Sequence, residues 1–262
     1  FPEMGIAGAA LSTTISRFLA AVAYLYVVFN VKEKLKLKIN NLKPDSDLIK
    51  PLWKFSYAAG IEQLSMQLAF FLNGIIVSLL NTTSEAAFRI LINIESISFM
   101  PAIGASIATA TLVGKHLGEE DPEESLKTGF TAAGMGIIWG IFMGIIFLLF
   151  TEPIIRIFTT ESVVINASIT TLKIAAINQA PLAFMIIMGG ALRGSGDTKG
   201  VMIITAMRLW LVFVPLSYLF TILLNQGVTG VWYAEITSFV VFSFVIYKRF
   251  YAMEWSEIRM FA

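Results

Sequence analysis

Three glutamates of this sequence, Glu62, Glu95 and Glu235, stand inside long apolar runs where an ionisable side chain needs a partner or a chemical purpose. Burial disfavours the charged form of a carboxylate, so such a group can bind a cation, or take up and release a proton, near neutral pH. The pattern therefore favours ion or proton chemistry. Four basic residues lie in similar apolar surroundings: Arg17, Arg89, Lys173 and Arg208.

Polar residues accompany the first two glutamates. Glu62 lies about eleven residues, or roughly 16 Å, into its predicted helix, and the helical repeat places Gln63 and Gln67 on one stripe. Glu95 follows Asn93 by two residues. The ion-coupling or proton-coupling candidates are Glu62, Glu95 and Asn178.

Asn178 and Gln179 come shortly before Pro181, and a proline inside a helix frees a backbone carbonyl that can act as a ligand. Methionine adapts to varied apolar ligands, which makes Met66 and Met185 candidates for a cavity wall. The predicted substrate-cavity residues are Gln63, Met66, Gln67, Asn93, Gln179 and Met185. Four further apolar residues are candidates for the same wall: Phe70, Phe71, Phe184 and Met188.

Each of these residues also has a structural interpretation. Glu95 or Glu235 would form an ion pair with Lys173 between helices, and Arg89 would extend its side chain to the outer interface. The methionines and phenylalanines would serve ordinary helix packing and lipid contact. The sequence leaves both interpretations open.

The elements that position these residues are membrane-spanning helices. The chain has 262 residues, of which 56% are hydrophobic and 14% charged, whereas a soluble domain has roughly 25% charged residues. The segment from Gly129 to Phe150 carries no charge over about 22 residues, enough to cross a hydrocarbon layer of about 30 Å. The apolar residues are continuous rather than alternating, which disfavours transmembrane strands. We predict an all-α polytopic membrane protein with about seven spans: 4–29, 51–80, 84–114, 126–150, 161–193, 199–222 and 228–248.

The connections carry helix-breaking and capping residues. Asn81 to Ser84 is a predicted turn with a cap for the following helix, and Glu119 to Pro122 is a predicted acidic loop. Thr151 to Pro153 and Asn225 to Gly227 are predicted to end two further spans. The segment GGALRGSGDTKG, Gly189 to Gly200, resembles a phosphate loop, but no strand precedes it.

We interpret GGALRGSGDTKG as a tight turn between two helices. Gly194 and Gly196 would supply left-handed backbone conformations, and Arg193 would lie at the negative end of the helix dipole. Ser195 or Asp197 would cap the next helix.

The distribution of lysine and arginine predicts the orientation. Seven lysines lie between residues 30 and 54, and with seven spans the remaining loop cations fall almost entirely on the same side, leaving Arg156 opposite. We therefore expect the basic loop over 31–50 and the tail over 251–262 to be cytoplasmic, in the cell membrane. The basic loop lacks interleaved aromatic residues and is flanked by spans, which disfavours nucleic acid as a partner.

The sequence contains no residue pattern that supports an enzymatic activity. His116 is the single histidine and there is no cysteine, so a zinc site of the usual kind is excluded. GKHLG lacks the spacing of an ATP-binding loop. We expect neither enzymatic activity nor a cofactor.

A short internal echo indicates a repeat. GIAGAALSTTIS, Gly5 to Ser16, and GVTGVWYAEITS, Gly227 to Ser238, both begin with Gly-x-x-Gly and end with Ser at the start of a span. Many transporters consist of paired repeats with the substrate path between them. The echo predicts one terminal helix of a first repeat followed by a complete second repeat.

Four ordered motifs resemble the multidrug and toxic compound extrusion (MATE) transporters. They are SFMPAIGASIATATLVGKHLGEEDPEES (Ser98 to Ser125), ALRGSGDTK (Ala191 to Lys199), VPLSYLF and GVTGVWYAEI. The resemblance implies two six-helix lobes, with 1–30 holding the last helix of the N-terminal lobe and 51–250 the whole C-terminal lobe. The motif residues are Arg193, Gly194, Gly196 and Asp197.

The resemblance implies export of small organic, often cationic, compounds in antiport with H⁺ or Na⁺, by alternating access between the lobes. Related proteins flip lipid-linked sugars or export polysaccharide, and a membrane scaffold without transport is the alternative of another class. One branch of the family binds its coupling ion with acids on helices seven and ten. The corresponding stretch of helix ten, NQAPLAFMIIMGGALRG, has no acid. Other branches have their coupling acids in the N-terminal lobe.

Overall fold

The computed structural model describes residues 5–30 and 46–257, and every regular element in those stretches is helical. Seven helices there are long and apolar enough to cross a membrane, which confirms the predicted all-α polytopic class. The chain divides into two compact units, Phe1–Lys50 and Pro51–Ala262. The basic loop over 31–45 and the tail from residue 258, including Arg259, lie outside the described residues.

The helices are α1 (Gly5–Asn30), α2 (Ser46–Ser78), α3 (Thr82–Gly118), α4 (Pro122–Leu149), α5 (Thr151–Phe158), α6 (Ser162–Gly194), α7 (Thr198–Met207), α8 (Val214–Tyr218) and α9 (Thr229–Tyr251). Two π-helical segments, Arg208–Phe213 and Leu219–Leu223, continue α7 and α8 into one span. A 3₁₀ turn follows at Glu254–Glu257. Because α2 begins at Ser46, residues 46–50 are helical rather than part of the predicted linker.

The first unit contains α1. Its apolar stretch Ala10–Val27 is long enough to span a membrane, and large side chains such as Phe18 and Tyr24 are exposed along it. Apolar side chains exposed over the whole length of a helix are typical of a surface that faces lipid or other membrane helices.

The second unit is built around α6, the most buried of its spans. Helix α4 packs closely on α6 because it presents glycines one turn apart. A side chain at Gly140 would collide with the backbone of Gln179 and Ala180, and one at Gly144 with the carbonyl oxygen of Ala176. Small residues at such positions let two membrane helices approach and gain van der Waals contact.

Polar side chains fix α3 against the same two helices. The Ser106 hydroxyl donates to the carbonyl oxygen of Ile186 on α6 at 2.8 Å. The Trp139 indole on α4 donates to the carbonyl oxygen of Ser98 on α3 at 2.9 Å. These bonds fix the register of α3, and with it the position of Glu95.

Most of the predicted turns are confirmed. Asn81 caps α3 by accepting from the Ser84 amide, and Asp121 caps α4 in the acidic loop. The predicted span end at Thr151 to Pro153 is confirmed, since α4 ends at Leu149, but this segment also begins the short helix α5, which was not predicted. Pro153 fits there because the first turn of a helix needs no amide donor.

The GGALRGSGDTKG segment contains the end of α6, a tight turn over residues 195–197 and the start of α7. Asp197 caps α7 by accepting from the Gly200 amide at 3.0 Å and also accepts from Arg249 Nε of α9 at 2.9 Å. Gly196 has the predicted left-handed conformation, with φ of 89°. The expectation for Gly194 is wrong: it ends α6, and its missing side chain makes room for the backbone of Ala110 on α3.

Candidate functional site

A cavity of about 610 Å³ lies within the second unit, with walls contributed by α2, α3, α6, α7 and α9. Most of its wall is apolar, which suits an organic molecule. Three acidic and two basic residues interrupt this surface, so the wall has one more acid than base. They are Glu62, Glu95, Glu235, Arg193 and Arg208.

Glu62 projects from α2 and is 5% exposed. One carboxylate oxygen, Oε1, accepts a hydrogen bond from Arg193 Nη2 at 2.5 Å and a longer one from Thr205 Oγ1 at 3.3 Å. The Arg193 side chain is 40% exposed. Glu62 therefore has a cationic partner from the end of α6 and a neutral one from α7.

Glu95 projects from α3 and is 6% exposed, close to the value for Glu62. Its two oxygens accept from different neutral donors: Oε1 from Gln179 Nε2 and Oε2 from Trp232 Nε1, each at 3.0 Å. In the part of the chain that the structure describes, no ion pair involves Glu95. Its charge is hydrogen-bonded but not balanced by a contacting cation.

Arg208 and Glu235 complete the charged wall. Arg208 is buried, donates from Nη1 to Ser238 Oγ at 3.2 Å, and lies over the Phe239 ring at 4.1 Å from its centroid. A guanidinium in this position gains cation–π attraction from the ring face. The contacts hold Arg208 to α9, the helix that carries Glu235.

The structure places half of the predicted cavity residues in the wall. Gln63, Met66 and Met185 line the cavity, as does Phe70. Gln67 is exposed and lies outside the wall. Met188 is fully buried in the core and Phe184 packs against the same core cluster, so these two serve helix packing.

Asn93 and Phe71 belong to a different depression. They line a second groove of about 560 Å³ together with Glu85 and Arg89. Arg89 pairs with Glu85 at 2.8 Å on an exposed part of α3, and the Asn93 amide donates to the Arg89 carbonyl. Asn93 thus lies outside the wall of the central cavity, and its role in substrate binding stays a prediction.

Gln179 and Asn178 are fully buried on α6 and lie outside the cavity wall. Gln179 Nε2 also donates to the Ala175 carbonyl, so the residue supports Glu95 rather than lining the cavity. Neither side-chain polar atom of Asn178 has a hydrogen-bond partner among the described residues. Its role as an ion ligand stays a prediction.

The ion pair between Lys173 and Glu95 or Glu235 does not form. Lys173 is exposed, and within 5–30 and 46–257 no salt bridge joins it to either glutamate. Sequence reasoning also missed three partners of the carboxylates, Arg193, Thr205 and Trp232. The available signals were general: a buried carboxylate needs a cation, and the N–H group of a buried indole needs an acceptor.

Fold and cavity together define a polytopic helical membrane protein with an internal, charge-lined binding space. The MatE family model matches residues 58–219, which is more than half of the chain. The chain belongs to the MatE family.

The chain is similar to the probable multidrug resistance protein NorM of Thermotoga maritima, at 33% identity over 98% of this chain and 55% of that protein. A probable multidrug resistance protein NorM of Mannheimia succiniciproducens is 27% identical over 97% of this chain and 56% of its own length. The fold is similar to that of a MATE protein crystallised in complex with MaL6, with a TM-score of 0.84 at 20% identity, over 96% of this chain and 58% of that one. The chain thus spans about half the length of the relatives it matches.

Proposed function

We propose that this chain is the C-terminal lobe, preceded by the last helix of the N-terminal lobe, of a secondary active exporter of small organic cations. The central cavity is the observation that carries the proposal. It offers a mostly apolar wall of suitable size, in which acidic groups outnumber basic ones. Such a wall attracts an amphipathic cation more than a neutral or anionic molecule. The relatives named multidrug resistance proteins support the same substrate class.

Antiport with H⁺ or Na⁺ would drive the export, with the two lobes exposing the cavity alternately to each side of the membrane. Glu95 is the best candidate in this chain for the coupling site, because its buried carboxylate contacts neutral donors alone. A lipid-linked phosphate as cargo would need a predominantly cationic cavity, and the excess of acid over base speaks against it.

The basic loop and the C-terminus would face the cytoplasm in the cell membrane, as the positive-inside rule predicts. In that orientation the α6–α7 turn, with Arg193 and Asp197, lies at the cytoplasmic end of the lobe. Residues 31–45 would connect the lobes, and residues after 251 would form the cytoplasmic tail.

Transport by the full-length protein in proteoliposomes tests the proposal. Ethidium movement is recorded under an imposed proton gradient, an imposed sodium gradient, and no gradient. We expect ethidium to move against its own concentration gradient under one of the two ion gradients and to equilibrate without either. Failure of both gradients to drive ethidium, with the protein correctly inserted, would contradict the proposal.

A further inference from the structure

We infer that Arg193 is a built-in counter-ion of Glu62, and that an organic cation must displace it to bind at this carboxylate. The inference rests on the proposed function and adds a residue that determines cation affinity. Arg193 lies in the last turn of α6, and Glu62 lies on α2, but both reach the wall of the same cavity.

The two partners differ in burial. The Glu62 side chain is 7% exposed, whereas the Arg193 side chain is 40% exposed. The guanidinium is therefore less enclosed by this unit than the carboxylate and has more room to move. A buried carboxylate left without a cation is strongly unfavourable, so Arg193 leaves when another cation takes its place.

The surroundings of the pair suit such an exchange. The base of Arg193 is fixed, because Gly194 lies against the backbone of Ala110 and Asp197 is tied to Arg249. The long side chain of Arg193 is then the part that moves. Thr205 remains as a donor to Glu62 when the guanidinium has left.

The exchange also affects how α2 is held. Among the described residues, side-chain hydrogen bonds join α2 to other helices at two levels, through Glu62 to Arg193 and Thr205, and through Asn73 to Ser217 on α8. Displacement of Arg193 removes the ionic part of the first connection. Substrate binding would thereby loosen α2 at the level of Glu62 and leave the connection at Asn73 intact.

A static structural pair would behave differently, and equilibrium binding separates the two cases. The probe is tetraphenylphosphonium, added to the detergent-solubilised full-length protein without any gradient. If Arg193 is paired with Glu62 in about nine of ten substrate-free molecules, removing the arginine raises the apparent affinity for tetraphenylphosphonium about tenfold. We expect that gain for Arg193→Gln, a loss of similar size for Glu62→Gln, and no effect of Arg193→Gln in the Glu62→Gln background.

Arg156→Gln is the matched control, because Arg156 is also ion-paired, to Glu152, but lies on α5 outside the cavity wall. Its affinity for the probe should equal that of the unmodified protein. An unchanged or weaker affinity of Arg193→Gln would overturn the inference, as would a gain that persists without the Glu62 carboxylate.

A second measurement needs no variant. Phenylglyoxal modifies accessible arginines, and mass spectrometry reports the modified fraction at each site. Saturating tetraphenylphosphonium should raise the modification rate of Arg193 severalfold and leave that of Arg156 unchanged. No rise at Arg193 would contradict displacement. Neither measurement uses an ion gradient, so a failure here and a failure of driven transport are distinguishable.

Discussion

Glu62 and Glu95 are almost equally buried in the same cavity, yet their carboxylates meet opposite kinds of partner. Glu62 contacts a guanidinium and a hydroxyl, whereas Glu95 contacts an amide and an indole. The sequence surroundings of the two residues are alike, each being a carboxylate in an apolar helix. The chemistry of a buried acid is thus decided by the helix packed against it.

This difference suggests two separate tasks. The charge of Glu62 is balanced within the protein, so a new cation must compete for it. The carboxylate of Glu95 has no contacting cation among the described residues. A bound sodium ion would balance its charge, and a bound proton would remove it. We therefore assign substrate binding to Glu62 and ion coupling to Glu95 as the central hypothesis.

The largest expected effect comes from Glu95→Gln. This change preserves shape but removes the charge, and we expect ethidium export driven by the ion gradient to fall about 100-fold, near the upper end of typical coupling energies. Glu62→Gln should lower driven export less, and raising the ethidium concentration should restore it. Equal and unrecoverable losses in both variants would contradict the division of tasks.

A tenfold effect is expected from Trp232→Phe. The phenyl ring fills much of the same space but cannot donate to Glu95 Oε2, and a hydrogen bond to a charged group is worth about 1.5–3 kcal/mol. Losing it destabilises the ionised carboxylate. Half-maximal export should then require about tenfold fewer protons if the proton is the coupling ion, or about tenfold more sodium if sodium replaces a proton on Glu95.

The matched control for Trp232→Phe is Trp139→Phe, which also removes an indole donor. Trp139 donates to the Ser98 carbonyl and lies outside the cavity wall. Its ion dependence should be unchanged even if the protein is less stable. The same shift in both variants would show that Trp232 acts through general stability.

The smallest effect is expected from Thr205→Val. This change removes the long hydrogen bond of 3.3 Å to Glu62 and leaves Arg193 in place. This bond is long and Arg193 still balances the carboxylate, so tetraphenylphosphonium affinity should change by a few-fold at most. Thr237→Val is the control, because Thr237 bonds to its own helix at Tyr233. A loss of affinity as large as that of Glu62→Gln would indicate that the main binding site lies on α7 rather than on α2.

The membrane spans and turns could be predicted because their signals are local. Length and hydropathy define a span, and residues such as Asn81 and Asp121 mark helix starts through their own side chains. Helix α5 was missed because a proline next to a span end resembles a terminator. The π-helical segments around α8 have no comparable local marker.

The candidate site could be predicted only in part, because the partners of a buried acid come from distant segments. Arg193 is 131 positions from Glu62 and was interpreted as part of the turn. Helical periodicity also defines a stripe without showing which helix covers it. Gln63 and Gln67 share a stripe, but only the first reaches the cavity.

Ion exchange on substrate binding tests the central hypothesis most directly. Binding of tetraphenylphosphonium to the full-length protein is measured by calorimetry in buffers of different ionisation enthalpy and at different sodium concentrations, which counts the protons or sodium ions released. We expect release on binding in the unmodified protein and in Glu62→Gln, and no release in Glu95→Gln. Release that persists in Glu95→Gln, or that disappears in Glu62→Gln alone, would contradict the assignment of coupling to Glu95.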